Sequence, residues 1–256
     1  MSSKQFHVTG CAAALCICAL LVFFQVKAAE TEGYGAENLD TGLSYNSIQQ
    51  AIDAAETLDG HTILVREGRY VENIVVHKSV SLRGENRRTV IIDGSLGNAV
   101  NVTADNVSIS HFTISGGIMF GVYINENVSF CNVSYNDITH NSFGIMLNQS
   151  FYSVLSFNNI IGNYCAGIWL YQSIGNHVYA NTIESAGQSD AIGIVQFSED
   201  NTIEANNITN NMRDLNIHTS TDNYIYHKNF VNNTQHVLTI GSQSKWDNGY
   251  PSGGNY

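Results

Sequence analysis

Between Val107 and Phe230 the chain returns to the same apolar pattern every 22 to 25 residues. Ile114, Ile138, Ile160, Ile183, Ile208 and Phe230 form one apolar column. Ile109, Val133, Leu155, Val178, Ile203 and Ile225 form a second, five positions upstream and with the same spacings. A unit of this length cannot enclose a core alone, so its apolar side chains leave water only when the next unit stacks on them. The pattern therefore predicts a solenoid.

Within one period the alternation is by two, which predicts strands. In the stretch 201–211, Ile203, Ala205 and Ile208 are expected to face inward, with Glu204 and Thr209 outward. Each coil carries a second short run: Val122 with Ile124, Ile145 with Leu147, and Ile168 with Leu170. Leucine-rich repeats have similar periods but need a leucine-and-asparagine pattern and a helical turn in each unit. Here β-branched residues and Asn dominate, so an all-β, single-stranded parallel β-helix is expected.

Asn recurs two positions before the Ile114 column (Asn136, Asn158, Asn181, Asn206) and three after it (Asn141, Asn163, Asn211, Asn233). Asn tolerates left-handed backbone and bonds its own backbone, which suits corners. Stacked at the spacing of neighbouring strands, about 4.8 Å, such amides can bond one another in ladders. His111 and His227 are read as inward-facing residues three before the column.

Five regions are expected: 1–28, 29–43, 44–106, 107–240 and 241–256. The first, with Lys4, an apolar run from Cys11 to Phe24 and a small-residue site ending at Ala28, reads as a signal peptide. If it stays uncleaved, it is the one membrane contact expected. Residues 29–43 read as a linker. In 44–106, Asn46 or Ser47 caps a helix with apolar Ile48, Ala51, Ile52, Ala55 and Leu58, ending at Asp59-Gly60 and covering the open first coil. Strands are expected at His61–Val65, Asn73–Val76, Ser79–Leu82 and Thr89–Ile92.

Removal of the leader leaves nine basic against 22 acidic residues. A solenoid this acidic repels phosphate, which argues against nucleic acid as a partner. Cys131 and Cys165 lie 34 residues apart, about one and a half coils, so two separate thiols are expected. Seven Asn-x-Ser/Thr sequons permit glycosylation.

Ser47-Ile-Gln-Gln-Ala-Ile-Asp-Ala-Ala, Asp59-Gly-His-Thr-Ile-Leu-Val, Gly68-Arg-Tyr-Val-Glu-Asn-Ile-Val-Val and Val90-Ile-Ile-Asp-Gly94 together resemble the NosD-like family of right-handed parallel β-helix proteins. The Asn-rich coils and the closing Trp246-Asp-Asn-Gly-Tyr-Pro-Ser-Gly-Gly-Asn-Tyr256 are similar to the same family. The resemblance implies an extracytoplasmic repeat protein with an N-terminal capping helix. Its possible roles are assistance in copper-site maturation, or a place in the carbohydrate-binding and sugar-hydrolase β-helix class. Because the closing motif usually continues in such proteins, 241–256 is expected to be truncated.

Three chemistries compete. For copper, the nine His and four Met include no His-x-His, no Met-rich run and no Cys-x-x-Cys. No copper or calcium site is therefore assigned, and no cofactor is expected. For polysaccharide cleavage, the best cluster is Arg213 beside Asp214, with His218 four residues on and Asp190 one coil earlier. A solvated ion pair is its plainer reading. For carbohydrate binding, Tyr123, Met146 and Trp169 are expected in one outward column with Tyr171 and Asn148 beside it. Aromatic faces flanked by amides suit sugar rings. The expectation is a secreted or surface-bound, non-catalytic protein presenting a polar face to carbohydrate or another cell-surface component. A lyase, epimerase or hydrolase and a copper accessory factor are the alternatives.

Overall fold

The computed structural model describes residues 35–95, 97–184, 189–247 and 249. The signal-peptide reading and most of the closing motif lie outside these residues. The described chain winds as a parallel β-solenoid of about eight turns with three faces, of 11, eight and eight strands.

Both apolar columns stack in register. Ile109, Val133, Leu155, Val178, Ile203 and Ile225 pair in succession on the first face. Ile114, Ile138, Ile160, Ile183, Ile208 and Phe230 do so on the second. All are fully buried except Phe230, which packs against the core from a half-buried position. On the third face, Val122 and Ile124, Ile145 and Leu147, and Ile168 and Leu170 complete the interior.

The corners carry the polar ladders. The Asn158 backbone N–H and Nδ2 both donate to Asn181 Oδ1 at 3.0 Å, and Nδ2 also reaches Val133 O at 2.8 Å. Asn136 gives the same pair of bonds to Asn158, and Asn181 to Asn206. Between the second and third faces, Asn141 bonds Asn163 and Asn211 bonds Asn233. Two more ladders, unread in the sequence, run between the third and first faces. In one, Ser150, Ser173, Ser198, Ser220 and Ser242 each offer a hydroxyl to the preceding rung's N–H where there is one. In the other, Ser153 leads to Asn176, Asn201 and Asn223. The same two-before spacing marks this second set, measured from the Ile109 column.

One expectation about the corners is corrected. The left-handed residue is not the ladder Asn but the one before it: Tyr135, Phe157, Ala180 and Ala205 have φ between 50° and 58°. Ala205 is therefore an exposed corner residue and not part of the interior. His111 and His227 occupy the same corner with φ 64° and 51°, so neither faces inward. A left-handed non-glycine residue costs roughly 1–2 kcal/mol. Each ladder Asn that follows makes several buried hydrogen bonds worth about 1 kcal/mol apiece, so the ladder outweighs the strain. Lys228 takes the ladder position after Asn206, is fully buried, and has its ammonium pushed well below its ordinary pKa by that burial.

The expected helix is shorter than read. It spans Ile48–Asp53, is capped by the Ser47 hydroxyl, and buries Ile48, Ala51 and Ile52. Ala55 and Leu58 lie beyond it and are exposed. The region read as a linker holds the strand Ala36–Asn38, which pairs antiparallel with Thr62–Val65 and, across the region's end, with Leu43–Tyr45. Cys131 is free and buried, and burial pushes its thiol up to about 11. It is not bonded to Cys165.

Candidate functional site: the outer side of the third face

Strands of the third face do not alternate simply. In Arg213–His218 the pattern puts both Asp214 and Leu215 inside, so the outward residues are Arg213, Asn216 and His218. Phe143–Asn148 behaves alike, with Phe143, Met146 and Asn148 outward. Gly144 and Gly167 fill the extra inward position in their strands. A Cβ on Gly144 would lie 2.4 Å from the Gly167 carbonyl oxygen, so only glycine permits this close approach.

The register aligns the outward residues in three columns. Tyr123, Met146, Trp169, Gly193 and Asn216 form the central one. Asn148, Tyr171, Val195 and His218 flank it on one side. Phe120, Phe143, Ala166, Asp190 and Arg213 flank it on the other. The expected aromatic column and the expected polar cluster are thus successive parts of one surface.

Its upper part is a packed aromatic group. Phe120 stacks on Tyr123 with centroids 4.9 Å apart, and Phe143 meets Trp169 edge-on at 5.9 Å. Asn148 Nδ2 donates to the Tyr123 hydroxyl at 2.8 Å. Tyr123, Trp169 and Tyr171 are half-buried. The Trp169 indole lies across Gly193, where a Cβ would sit 2.1 Å from the ring. Glycine at 193 is therefore what lets the indole lie flat against the sheet.

Below Trp169, Asp190 accepts from Arg213 Nε and from Asn216 Nδ2, both at 2.8 Å. Both carboxylate oxygens are engaged. His218 shares a 2.9 Å hydrogen bond between Nδ1 and the Thr219 hydroxyl. Asp214 does not join this group. It projects into the solenoid, fully buried, with Oδ2 2.7 Å from His236 Nδ1 and Oδ1 without a partner among the described residues. The sequence cluster therefore separates into Asp190, Arg213 and His218 outside and Asp214 inside. Asn216 is the member that the sequence reading missed.

Burial raises the Asp214 carboxyl from 3.8 to about 6, with the His236 hydrogen bond opposing part of the shift. The native state thus holds this proton more tightly than the unfolded chain. The resulting stabilisation is complete below the unfolded value and is lost as pH rises through about 6. Asp214→Asn is expected to leave stability nearly unchanged at pH 4 and to raise it near pH 7.5, by on the order of 2 kcal/mol. Denaturant melts of both proteins at the two pH values check this; an equal difference at both would refute it.

Residues 45–256 match the family described as periplasmic copper-binding protein (NosD). The chain belongs to the NosD family. A 102-residue stretch is 38% identical to a cell surface glycoprotein of Methanothermus fervidus, covering 40% of this chain and 17% of that protein. Among solved structures, the enzymatically active domain of bacteriophage CBA120 tailspike protein 2 aligns with a TM-score of 0.54 at 13% identity, over 79% of this chain and 40% of that one. An alginate lyase from Paenibacillus sp. str. FPU-7 aligns at 0.53 and 13%, over 82% and 94%. These two share the fold. Copper favours convergent imidazole, thiolate and thioether ligands. Among the described residues no group of three or more His, Cys, Asp or Glu converges to hold a metal ion, and His177 and His236 each face a single carboxylate. The described residues of this NosD-family chain do not fit a copper centre.

Proposed function

We propose that the chain is an extracytoplasmic, non-catalytic NosD-family solenoid whose third face binds carbohydrate at the cell surface. The family description and the surface-glycoprotein relative support the location. The observation that carries the binding reading is the Trp169 indole lying across Gly193, in register with Tyr123 above and with the Asp190, Arg213 and Asn216 group below. An aromatic plane bordered by amide, guanidinium and imidazole groups matches the apolar faces and hydroxyl edges of a sugar ring. With both Asp190 oxygens already held by donors, the charged group is suited to binding a hydroxyl edge more than to taking a proton. In the same reading the turns are right-handed, as parallel crossovers are, and the helix Ile48–Asp53 closes the first coil.

The test is a titration of soluble neutral oligosaccharides against Trp169 fluorescence, with Trp246→Phe as the background protein. A saturable change is expected for at least one glycan. Trp169→Ala and Gly193→Val, the latter displacing the indole, are expected to weaken that glycan roughly tenfold or more, measured calorimetrically. A flat response across a broad panel overturns the reading.

A further inference from the structure

A second concave surface lies on another corner, between the first and second faces. A groove of about 410 Å³ is lined by Glu85, Asn86, Arg87, His111 and Tyr135. Its origin is a length difference between coils. From His111 onward the coils pass this corner on two residues, the first of them left-handed, but the second coil crosses from Gly84 to Val90 through a longer turn. That turn stands beside the next coils and walls the groove.

The floor is a ring stack made by the left-handed corner residues. His111 and Tyr135 are stacked at 5.6 Å and 17°, and Tyr135 and Phe157 at 4.9 Å and 8°. Tyr135 lies between His111 and Phe157, and Tyr135 and Phe157 remain 44% and 40% exposed, so the outer edges of the stacked rings meet solvent. His111 Nδ1 is buried and has no hydrogen-bond partner among the described residues.

The wall is cationic in a strongly acidic protein. Six of the nine basic residues outside the leader region lie between Arg66 and Arg88. Arg66 and Arg69 are held in close ion pairs with Glu37, Glu85 and Asp93. By contrast, Arg87 reaches only Asp137, through Nε at 3.5 Å, and the Arg83 and Arg88 side chains make no ion pair or hydrogen bond among the described residues. Glu85, the acidic member of the lining, is already neutralised by Arg66 at 2.8 Å. Burial, with the charges of Arg83 and Arg87 adding to it, lowers the His111 pKa.

We propose that this corner groove is a second binding site, selective for an acidic sugar residue: the sugar ring lies against the exposed edges of the Tyr135 and Phe157 rings while its carboxylate is held by Arg87 and Arg88. A guanidinium fork matches a carboxylate in a way it does not match a hydroxyl, so the charge sets the selectivity and the aromatic stack supplies contact area. The site is separate from the Trp169 surface and stands or falls independently of it.

Calorimetric titration of Trp169→Ala protein with hexagalacturonate and with maltohexaose tests this, because that background removes the third-face surface. Saturable binding of hexagalacturonate, with maltohexaose at least tenfold weaker, is the expected result. Arg87→Gln combined with Arg88→Gln should lower the hexagalacturonate affinity roughly tenfold or more, and should remove most of its dependence on added salt. Tyr135→Leu, at an exposed position, should weaken binding and leave that salt dependence intact. Equal binding of the two oligosaccharides, no saturable binding of hexagalacturonate, or arginine variants that bind like the parent would each overturn the proposal.

Discussion

Ile160→Asp is expected to abolish cooperative folding, with a loss of about 4–5 kcal/mol or more. Ile160 is fully buried between Ile138 and Ile183 on the second face, so no solvent reaches the new carboxylate. The substitution removes an apolar burial worth about 1.5–3 kcal/mol and adds an unpaired charge to the interior. The neighbouring residue supplies the control. Ile161 is 40% exposed and stands in register with Thr139 and Glu184, positions where polar side chains are already accommodated. Ile161→Asp is expected to stay within about 0.5 kcal/mol of the parent. Thermal melts followed by far-ultraviolet circular dichroism compare the two, and similar losses would contradict the stacked column.

The second large effect is expected at Asn181. Its Nδ2 donates to Leu155 O at 2.9 Å, Tyr179 O at 3.1 Å and Asn206 Oδ1 at 2.9 Å, while its Oδ1 accepts two bonds from Asn158 at 3.0 Å. Asn181→Leu leaves the buried Asn158 backbone N–H and one Asn158 Nδ2 hydrogen without their acceptor, and takes the amide donor away from the Leu155 and Tyr179 carbonyls and from Asn206. At about 1–3 kcal/mol for each abandoned group, a total loss of about 3–5 kcal/mol is expected. Asn181→Asp keeps the acceptor but loses the donors and adds charge, so it should be no better tolerated at neutral pH. Asn229→Leu, which breaks an exposed amide pair with Asn207, should cost less than about 0.5 kcal/mol. Equal midpoints in urea for the buried and exposed variants would remove the ladder as a source of stability.

The two apolar columns were readable because a solenoid converts sequence period directly into spatial register: each Ile needs another Ile above it. The ladder Asn positions were readable for the same reason. The left-handed positions were not, since exposed corners accept Tyr, Phe, Ala and His alike provided the next residue anchors the turn. Asp214 was misplaced because its strand turns two successive residues inward, which defeats a reading by twos. That irregularity also hid Asn216, three residues beyond Arg213 instead of two. The arginine-lined groove depends on a turn being longer than its neighbours, and composition alone does not show which coil such a turn will face.

The interlocking amides also govern how the molecule can change length. Every rung takes its bonds from the rung before and gives them to the rung after, so losing a single residue between Asn158 and Asn181 would shift one partner out of reach. Excising an entire revolution there would bring equivalent rungs face to face again. Growth and shrinkage by complete revolutions are thus the changes that this architecture tolerates best, and any surface it carries would lengthen or shorten in the same increments.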